Sequence, residues 1–237
     1  MYINFMKPKP FLLLLFTAFI FGTQQSYSQA IERIYVNSGD DQWDNFMLAI
    51  YLYPSFKEGM VEFKNGQRFT RPMNYNRIGG TVEFISEKND TVAFADEAAV
   101  GHVNIGGDIF VFTPACMRFL SSKKVKLYVY EKMKIGDKQK IGAFGIPNSG
   151  SAIETVDRIE SNQRSYRLNP NETVILRKAT SYFIQTATSD IMPANKKNVL
   201  NLFSGNQEPV KAYFKDHNVN FNKQSDVVEL VNFLDTL

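Results

Sequence analysis

Polar and apolar residues alternate through the middle of this chain in a pattern that predicts a series of β-hairpins. Three segments share the pattern, and their glycines stand 21 positions apart: Gly59-Met60-Val61-Glu62-Phe63, Gly80-Thr81-Val82-Glu83-Phe84 and Gly101-His102-Val103-Asn104-Ile105. Apolar side chains occupy every second position, so they project from one face of a strand. Turn residues and a second apolar run follow each segment, which is the order expected of a hairpin.

The turn residues suit tight hairpin loops. Asn65-Gly66 is expected to close the first hairpin, because both central residues of the favoured two-residue turn need positive φ. Residues 87–90 close the second hairpin, and Gly106-Gly107 closes the third. The returning strands are predicted at 68–70, 91–94 and 109–112.

Further strands are predicted beyond the repeated units. Residues 125–130 alternate strictly, and a turn at Gly136-Asp137 is expected to lead into a returning strand at 140–144. Two more strands are predicted at 173–176 and 181–186. Residues 146–171 are the least regular stretch, and they form either a plain connector or a binding loop.

The pattern as a whole predicts a mainly β protein, an antiparallel hairpin meander with a small C-terminal helical unit. Neighbouring hairpins pair, and their sheet must curl like a barrel, pack as a sandwich or be capped. After Pro193 the apolar spacing becomes helical, with helix N-caps expected at Asn195 and Ser225. The expected organisation is a β-rich domain at 29–190 and a helical unit at 194–237.

The first thirty residues have the layout of a secretory signal peptide. Two lysines precede an apolar run at 11–21, and small and polar residues follow it. Cleavage after Ser28 fits best, which makes residues 1–28 the signal peptide; cleavage after Ala30 is the alternative. The run is shorter than the ~20 residues of a membrane-spanning helix. The mature chain is therefore expected to have no membrane-spanning segment and to be exported, whether periplasmic, on the outer surface or extracellular.

Net charge and cysteine content give no support for nucleic-acid binding and exclude an intramolecular disulfide. The signal holds two of the 27 Lys and Arg and none of the 24 Asp and Glu, so the mature chain has a net charge of +1. This balance gives no basis for nucleic-acid binding. Cys116 is the single cysteine, so an intramolecular disulfide is impossible. Its apolar neighbours indicate a buried side chain rather than a nucleophile.

Motifs for metal, nucleotide or nucleophilic chemistry are missing from the sequence. His102 and His217 lack a second ligand at metal spacing, and no P-loop, dinucleotide fingerprint or nucleophile elbow occurs. No catalytic residue, metal site or cofactor is therefore predicted. The aspartates near Trp43 do not follow the calcium-loop pattern, and a polar turn with a packed Trp43 is expected there.

Carboxylates could still support catalysis, since glycoside cleavage needs only two of them. Glu62 and Glu83 occupy equivalent positions in the repeat, and Asp96 stands before the third unit. On a strand the two glutamates alternate with the apolar side chains, so we expect them to point to solvent.

Asn74-Tyr75-Asn76, after the first hairpin, is a candidate interaction site. Asparagine tolerates left-handed backbone and bonds its own chain, so a turn between hairpins is the favoured interpretation. The functional interpretation is a polar and aromatic patch that binds an extended protein segment or a glycan.

The first two hairpins resemble a pattern of exported proteins of the Bacteroidetes type. In that pattern an apolar strand ends in a K-[ND]-G turn and an L-N-Y-[ND] segment follows. Residues 64–66 and 73–76 match it, with Met73 at the leucine position, and the similarity covers about residues 46–115. The resemblance implies export and β-architecture, and it carries no activity and no functional residue.

These observations favour an exported, non-catalytic interaction or structural protein of the cell envelope, with an envelope protein or a glycan as partner. Two alternatives stay open. A carboxylate-dependent enzyme acting on glycans would need two carboxyl groups ~5–9.5 Å apart in a cleft. A small-ligand carrier would need an apolar cavity inside a closed barrel.

Overall fold

The computed structural model describes residues 31–36, 41–140 and 172–237. The predicted signal peptide at 1–28 and the irregular stretch at 146–171 lie outside the described residues. Most of the returning strand predicted at 140–144 also lies outside them.

Eleven strands of the described chain form one antiparallel sheet. Their bounds are β1 (Ile31–Val36), β2 (Lys57–Phe63), β3 (Arg68–Asn76), β4 (Thr81–Ile85), β5 (Thr91–Ala93), β6 (Val100–Ile105), β7 (Asp108–Val111), β8 (Met117–Ser122), β9 (Lys126–Lys140), β10 (Glu172–Gln185) and β11 (Met192–Pro193). The strand order is β1-β10-β9-β8-β7-β6-β2-β3-β4-β5, and β11 pairs with β10. The mainly β, antiparallel meander expected from the sequence is confirmed.

The sheet is curled but open. Across the described residues its order has two ends, β1 and β5, so the strands do not close into a barrel. The end of β3 nevertheless approaches β9, where the backbone N–H of Met133 donates to the Arg77 carbonyl at 2.8 Å. The Tyr75 hydroxyl donates to the Glu131 carbonyl nearby, also at 2.8 Å. Strand β9 extends past its pairing with β8, and these two bonds use backbone groups of the extended part.

The three repeated segments place equivalent valines in one core. Val61, Val82 and Val103 are each 0 % exposed and pack in the same cluster. The repeated valines therefore face one another in the core of strands β2 to β7, which we call the curled part of the sheet. Gly80 has φ of +67°, and a Cβ there would lie 2.8 Å from the Tyr130 hydroxyl, so this turn requires glycine.

Two of the sequence predictions about the later strands are wrong. Gly136-Asp137 is not a turn, because β9 continues through it to Lys140 while paired with β10. The two strands expected at 173–176 and 181–186 are one strand, β10, whose long pairing with β9 holds the intervening residues extended. Strand β8 was not predicted, since its apolar run has no regular alternation.

Four α-helices lie in the described residues: α1 (Gln42–Ile50), α2 (Lys196–Leu202), α3 (Gln207–Asp216) and α4 (Gln224–Leu234). Asn195 caps α2 as predicted, and its side chain accepts a hydrogen bond from the Asn198 N–H. Ser225 is not the cap of α4: the helix already begins at Gln224, and Lys223 holds the cap position. None of the described helices is long and apolar enough to cross a membrane.

Helix α1 corrects the prediction of a polar turn with a packed tryptophan. The segment is helical from Gln42, and its core-facing residues are Phe46 and Ile50, at 0 % and 1 % exposure. Trp43 lies outside that face and is 44 % exposed, although its ring stacks on Phe46 with centroids 6.0 Å apart. The tryptophan is therefore a surface residue.

One face of the sheet carries three apolar clusters. The first joins the C-terminal helices to β9 and β10, with Leu127, Val129 and Leu230 among its members. The second is the core of the curled part, and the third packs α1 against β1, β9 and β10. The helical unit therefore packs on the sheet rather than standing apart from it.

Candidate functional site

The candidate residue Asn74 is buried and bonded to the chain that follows α1. Its side chain is 1 % exposed. The amide Nδ2 donates to the Tyr53 carbonyl at 2.8 Å and to the Ser55 carbonyl at 3.4 Å. The Oδ1 accepts from the backbone N–H of Tyr53 at 3.1 Å and from that of Tyr75 at 2.9 Å. All of its hydrogen-bonding groups are therefore used inside the protein.

Tyr75 and Asn76 are also buried, each at 3 % exposure. Asn76 Oδ1 accepts from the N–H groups of Ile78 and Gly79 at 2.9 and 3.1 Å, which forms the turn after β3. Its Nδ2 donates to Glu83 Oε1 at 3.0 Å. Asn74-Tyr75-Asn76 is thus buried and bonded to other parts of its own chain. A partner that approaches the surface meets Asn74 only at the floor of a groove.

This groove lies between α1 and the segment that Asn74 anchors. It has a volume of about 320 Å³. One wall is the stripe Asp44, Met47, Leu48 and Tyr51, whose spacing of three and four residues marks a single helix face. The other wall is residues 54–56, and Asn74 lies between the two walls.

The groove is apolar, open and asymmetric in charge. Leu48 is 51 % exposed, so its side chain is open to solvent at the groove. Phe56 supplies aromatic surface from the opposite wall and meets Tyr51 edge to face at 5.2 Å. Asp44 is the one charged residue among the lining residues. The groove therefore offers apolar contact beside a single exposed carboxylate.

The carboxylates considered for catalysis do not meet. Glu62 pairs with Arg68 at the start of β3, and Glu83 lies opposite Asn74. Arg68 and Asn74 are six positions apart on β3, which separates them by about 20 Å along the strand. Glu62 forms an ion pair with Arg68 at 2.6 Å, and Glu83 accepts the Tyr51 hydroxyl at 2.6 Å.

Asp96 is exposed and accepts the Ala98 N–H at 2.9 Å, so it caps a short turn before β6. It lies on neither of the strands that carry Glu62 and Glu83. The three carboxylates named from the sequence therefore form an ion pair, partly buried hydrogen bonds and a turn cap.

A different set of charges does converge, and no local sequence pattern predicts it. Arg118 on β8 lies 3.4 Å from Asp108 on β7 and 3.6 Å from Glu131 on β9. Lys178 on β10 lies 3.0 Å from Glu131 and 3.7 Å from Glu32 on β1. We call this row the ion ladder. It joins five neighbouring strands with alternating charge.

The ion ladder lies between the apolar clusters. On β9, Glu131 stands two residues after Val129 of the first cluster and two before Met133 of the third, so all three project from the same face. Its side chain is 10 % exposed. The Tyr53 hydroxyl donates to Asp108 Oδ2 at 2.6 Å and extends the network toward the groove wall. Its charged groups pair with one another, so the ladder is suited to fixing strands.

Burial makes the candidate nucleophiles unreactive. Cys116 is 1 % exposed, and burial raises the pKa of its thiol far above the usual range. Burial likewise raises the pKa of Tyr75, and burial together with the bond to Asp108 raises that of Tyr53. All three groups stay protonated at neutral pH.

The two histidines lie on different elements. His102 pairs with Glu62 in the register of β2 and β6. His217 follows α3 and stacks on Tyr213 with ring centroids 4.1 Å apart. Within the described ranges, no three His, Cys, Asp or Glu side chains are grouped so that they could hold a metal ion.

Comparison with known proteins gives no match: no family model, no curated protein and no solved structure is similar to this chain. Its functional assignment therefore depends on the geometry of its own residues.

Proposed function

We propose that this protein is an exported, non-catalytic interaction module of the cell envelope that binds a partner protein at the groove beside α1. The observation that carries the proposal is the second face of α1. Phe46 and Ile50 fill the core on one side of the helix, whereas Leu48 is exposed in an open groove on the other. Met47 lies between the two and contacts both the core cluster and the groove. A concave site lined mainly by apolar side chains with a few polar groups is the usual form of a binding site.

The chemistry of the groove indicates the kind of partner. Its volume of about 320 Å³ is at the small end of ligand sites, so one or two large side chains would fill it. Asp44 is at its edge and no cation lines it. The expected partner segment presents a large apolar or aromatic side chain next to a lysine or arginine, because opposite charges steer and orient an encounter.

Asn74 has a positioning role in this proposal. It holds the backbone of residues 53–55 through its side-chain amide and thereby fixes the wall opposite α1. A preformed wall lowers the ordering cost of binding. Asn74, the residue of the predicted interaction site that lines the groove, thus helps to fix the shape of the groove.

The alternatives have less support from the geometry. Glu62 and Glu83, which motivated a glycan-acting enzyme, lie about 20 Å apart along β3, well beyond the ~5–9.5 Å that a carboxylate pair needs. A small-ligand carrier needs an internal apolar cavity, and the interior of the curled part is occupied by the second apolar cluster.

Selection from a random peptide display library on the immobilised mature chain tests the proposal. We expect enriched peptides to carry an aromatic or large aliphatic residue beside Lys or Arg. Leu48→Asp should weaken their binding at least ~tenfold, since it buries a charge in an apolar contact. Met60→Asp is the matched control, because Met60 is 36 % exposed on β2 and does not line the groove. Equal loss in both variants, or no enrichment, would contradict the proposal.

A further inference from the structure

The face of β1, β10 and β9 opposite α1 carries a row of like charges. Arg33 pairs with Arg177, and Arg177 pairs with Lys134, so the three side chains project from the same face. Neighbouring strands lie ~4.8 Å apart, which places the three residues along a line of about 10 Å. Like charges directly opposite one another destabilise a sheet.

The acidic residues of these strands lie on the other face. Glu32 and Glu131 project from the face that carries the ion ladder, where they pair with Lys178. On the basic face, the described side chains of the three strands include no carboxylate. Lys132 stands two residues before Lys134 on the same face and adds a fourth cation.

Three of the four cations are free of ion pairs. Arg33 and Lys134 are exposed, Lys132 is partly exposed, and none of them lies within 4.0 Å of a carboxylate in the described chain. Arg177 lies along Gly136, where a Cβ would come within 3.0 Å of its Nε. The glycine therefore leaves room for the arginine side chain to lie across β9.

An aromatic side chain extends the row. Tyr35 follows Arg33 by two residues on the same face of β1 and is 54 % exposed. An exposed tyrosine offers a flat apolar ring with a polar tip, and such a ring can contact the face of a sugar.

We propose that this basic face binds a linear acidic polysaccharide, whose charged groups lie along Arg33, Arg177 and Lys134 and whose neighbouring sugar ring contacts Tyr35. A line of cations on three twisted strands suits a chain polymer, because each strand rotates by ~20–25° relative to the next. The mature chain has a net charge of +1, so attraction of a polyanion depends on this local row.

The site is separate from the groove, because α1 packs on the opposite face of the same strands. The two surfaces would allow one molecule to hold a polysaccharide and a protein together. Failure of either proposal leaves the other intact.

Binding of heparin and of polygalacturonate to the mature protein tests the inference. The variant R33Q/K132Q/K134Q should bind both at least ~tenfold more weakly, with the slope of log affinity against log salt reduced by about two to three. K124Q/K197Q/K215Q removes the same charge from exposed positions elsewhere and should bind like the wild type. Tyr35→Ser should weaken polygalacturonate binding while leaving the salt slope unchanged.

Three results would overturn the inference. The control variant could lose as much affinity as the row variant, which would indicate a general charge effect. The row variant could bind as the wild type does. Vesicles of phosphatidylglycerol and phosphatidylcholine, or duplex DNA, could bind more tightly than either polysaccharide at equal salt, which would assign the face to a bilayer or to nucleic acid.

Discussion

The side chain of Asn74 pairs with both backbone groups of Tyr53, donating to its carbonyl at 2.8 Å and accepting from its N–H at 3.1 Å. An amide that satisfies both groups of one residue acts as a short piece of neighbouring strand. Tyr53 follows a short antiparallel pairing with the end of β3, in which Tyr51 lies opposite Asn76 and the Leu52 N–H donates to the Tyr75 carbonyl at 3.0 Å. The Asn74 side chain therefore extends this backbone pairing by one residue at the wall of the groove.

Replacing Asn74 should reveal this role. Asn74→Ala leaves the buried N–H and carbonyl of Tyr53 unpaired, and each such group costs ~1–3 kcal/mol. We expect the free energy of unfolding to fall by about 2–4 kcal/mol in urea titrations. Asn201→Ala is the control, because Asn201 is exposed on α2. A loss no larger than that of the control would contradict the assigned role.

Breaking the ion ladder at its centre should be costly. Glu131→Ala removes the shared partner of Arg118 and Lys178, whose side chains are each 23 % exposed. Arg118 would keep only Asp108 and Lys178 only Glu32. Removing one member of a buried ion pair costs up to ~3–5 kcal/mol, and we expect about 3 kcal/mol of lost stability. Glu87→Ala breaks the Arg71 pair, in which Glu87 is 85 % exposed. That change should cost less than ~1 kcal/mol, and similar losses in the two variants would show that the ladder contributes little.

The thiol of Cys116 should make stability depend on pH above neutrality. Burial raises its pKa in the folded state, so the folded thiol stays protonated while the unfolded thiol ionises above about pH 8.5. The stabilising contribution is therefore complete below that pH and is lost as pH rises further. Between pH ~7 and ~9.5 the wild type should lose about 1.4 kcal/mol more than Cys116→Ala, as measured by urea unfolding. Parallel losses in the two proteins would show that this thiol is not protected.

The C-terminal helices should unfold together with the sheet. Leu230 is 1 % exposed in the cluster that joins α4 to β9 and β10. Leu230→Ala should cost ~2–5 kcal/mol and shift two probes equally: far-UV circular dichroism, and the fluorescence of Trp43 on the distant α1. Asn232→Ala, at an exposed position of α4, should shift neither probe. Separate midpoints for the two probes would indicate two independently folding units.

The hairpins could be predicted from the sequence because their information is local. Both turns lie where the sequence predicts them, and Gly66, Gly106 and Gly107 have positive φ, although Asn65 does not have the positive φ expected of it. Alternation around Val61 and Val103 sets the faces of the strands. Gly136 misled the prediction because an isolated glycine is common to turns and to strands. Pairing with β10 decided between them, and that pairing is not visible in a local window.

The candidate site depended on contacts between distant parts of the chain. The sequence singled out Asn74, but its burial follows from the path of residues 53–56, which have no regular pattern. The ion ladder joins Glu32, Arg118 and Lys178 through the strand order alone. Leu48 follows the helical spacing of a core residue, and only the packing of Phe46 and Ile50 shows that it faces outward.

The central claim, that the groove beside α1 binds a partner protein, is tested most directly by photo-crosslinking in the cells that naturally make this protein. A photoreactive phenylalanine at position 48 should capture one reproducible envelope protein, and the same group at exposed position 211 on α3 should not. Asp44→Lys should abolish the capture, and the crosslinked peptide should carry a large apolar residue next to Lys or Arg. No capture, equal capture from both positions, or capture that survives Asp44→Lys would contradict the account.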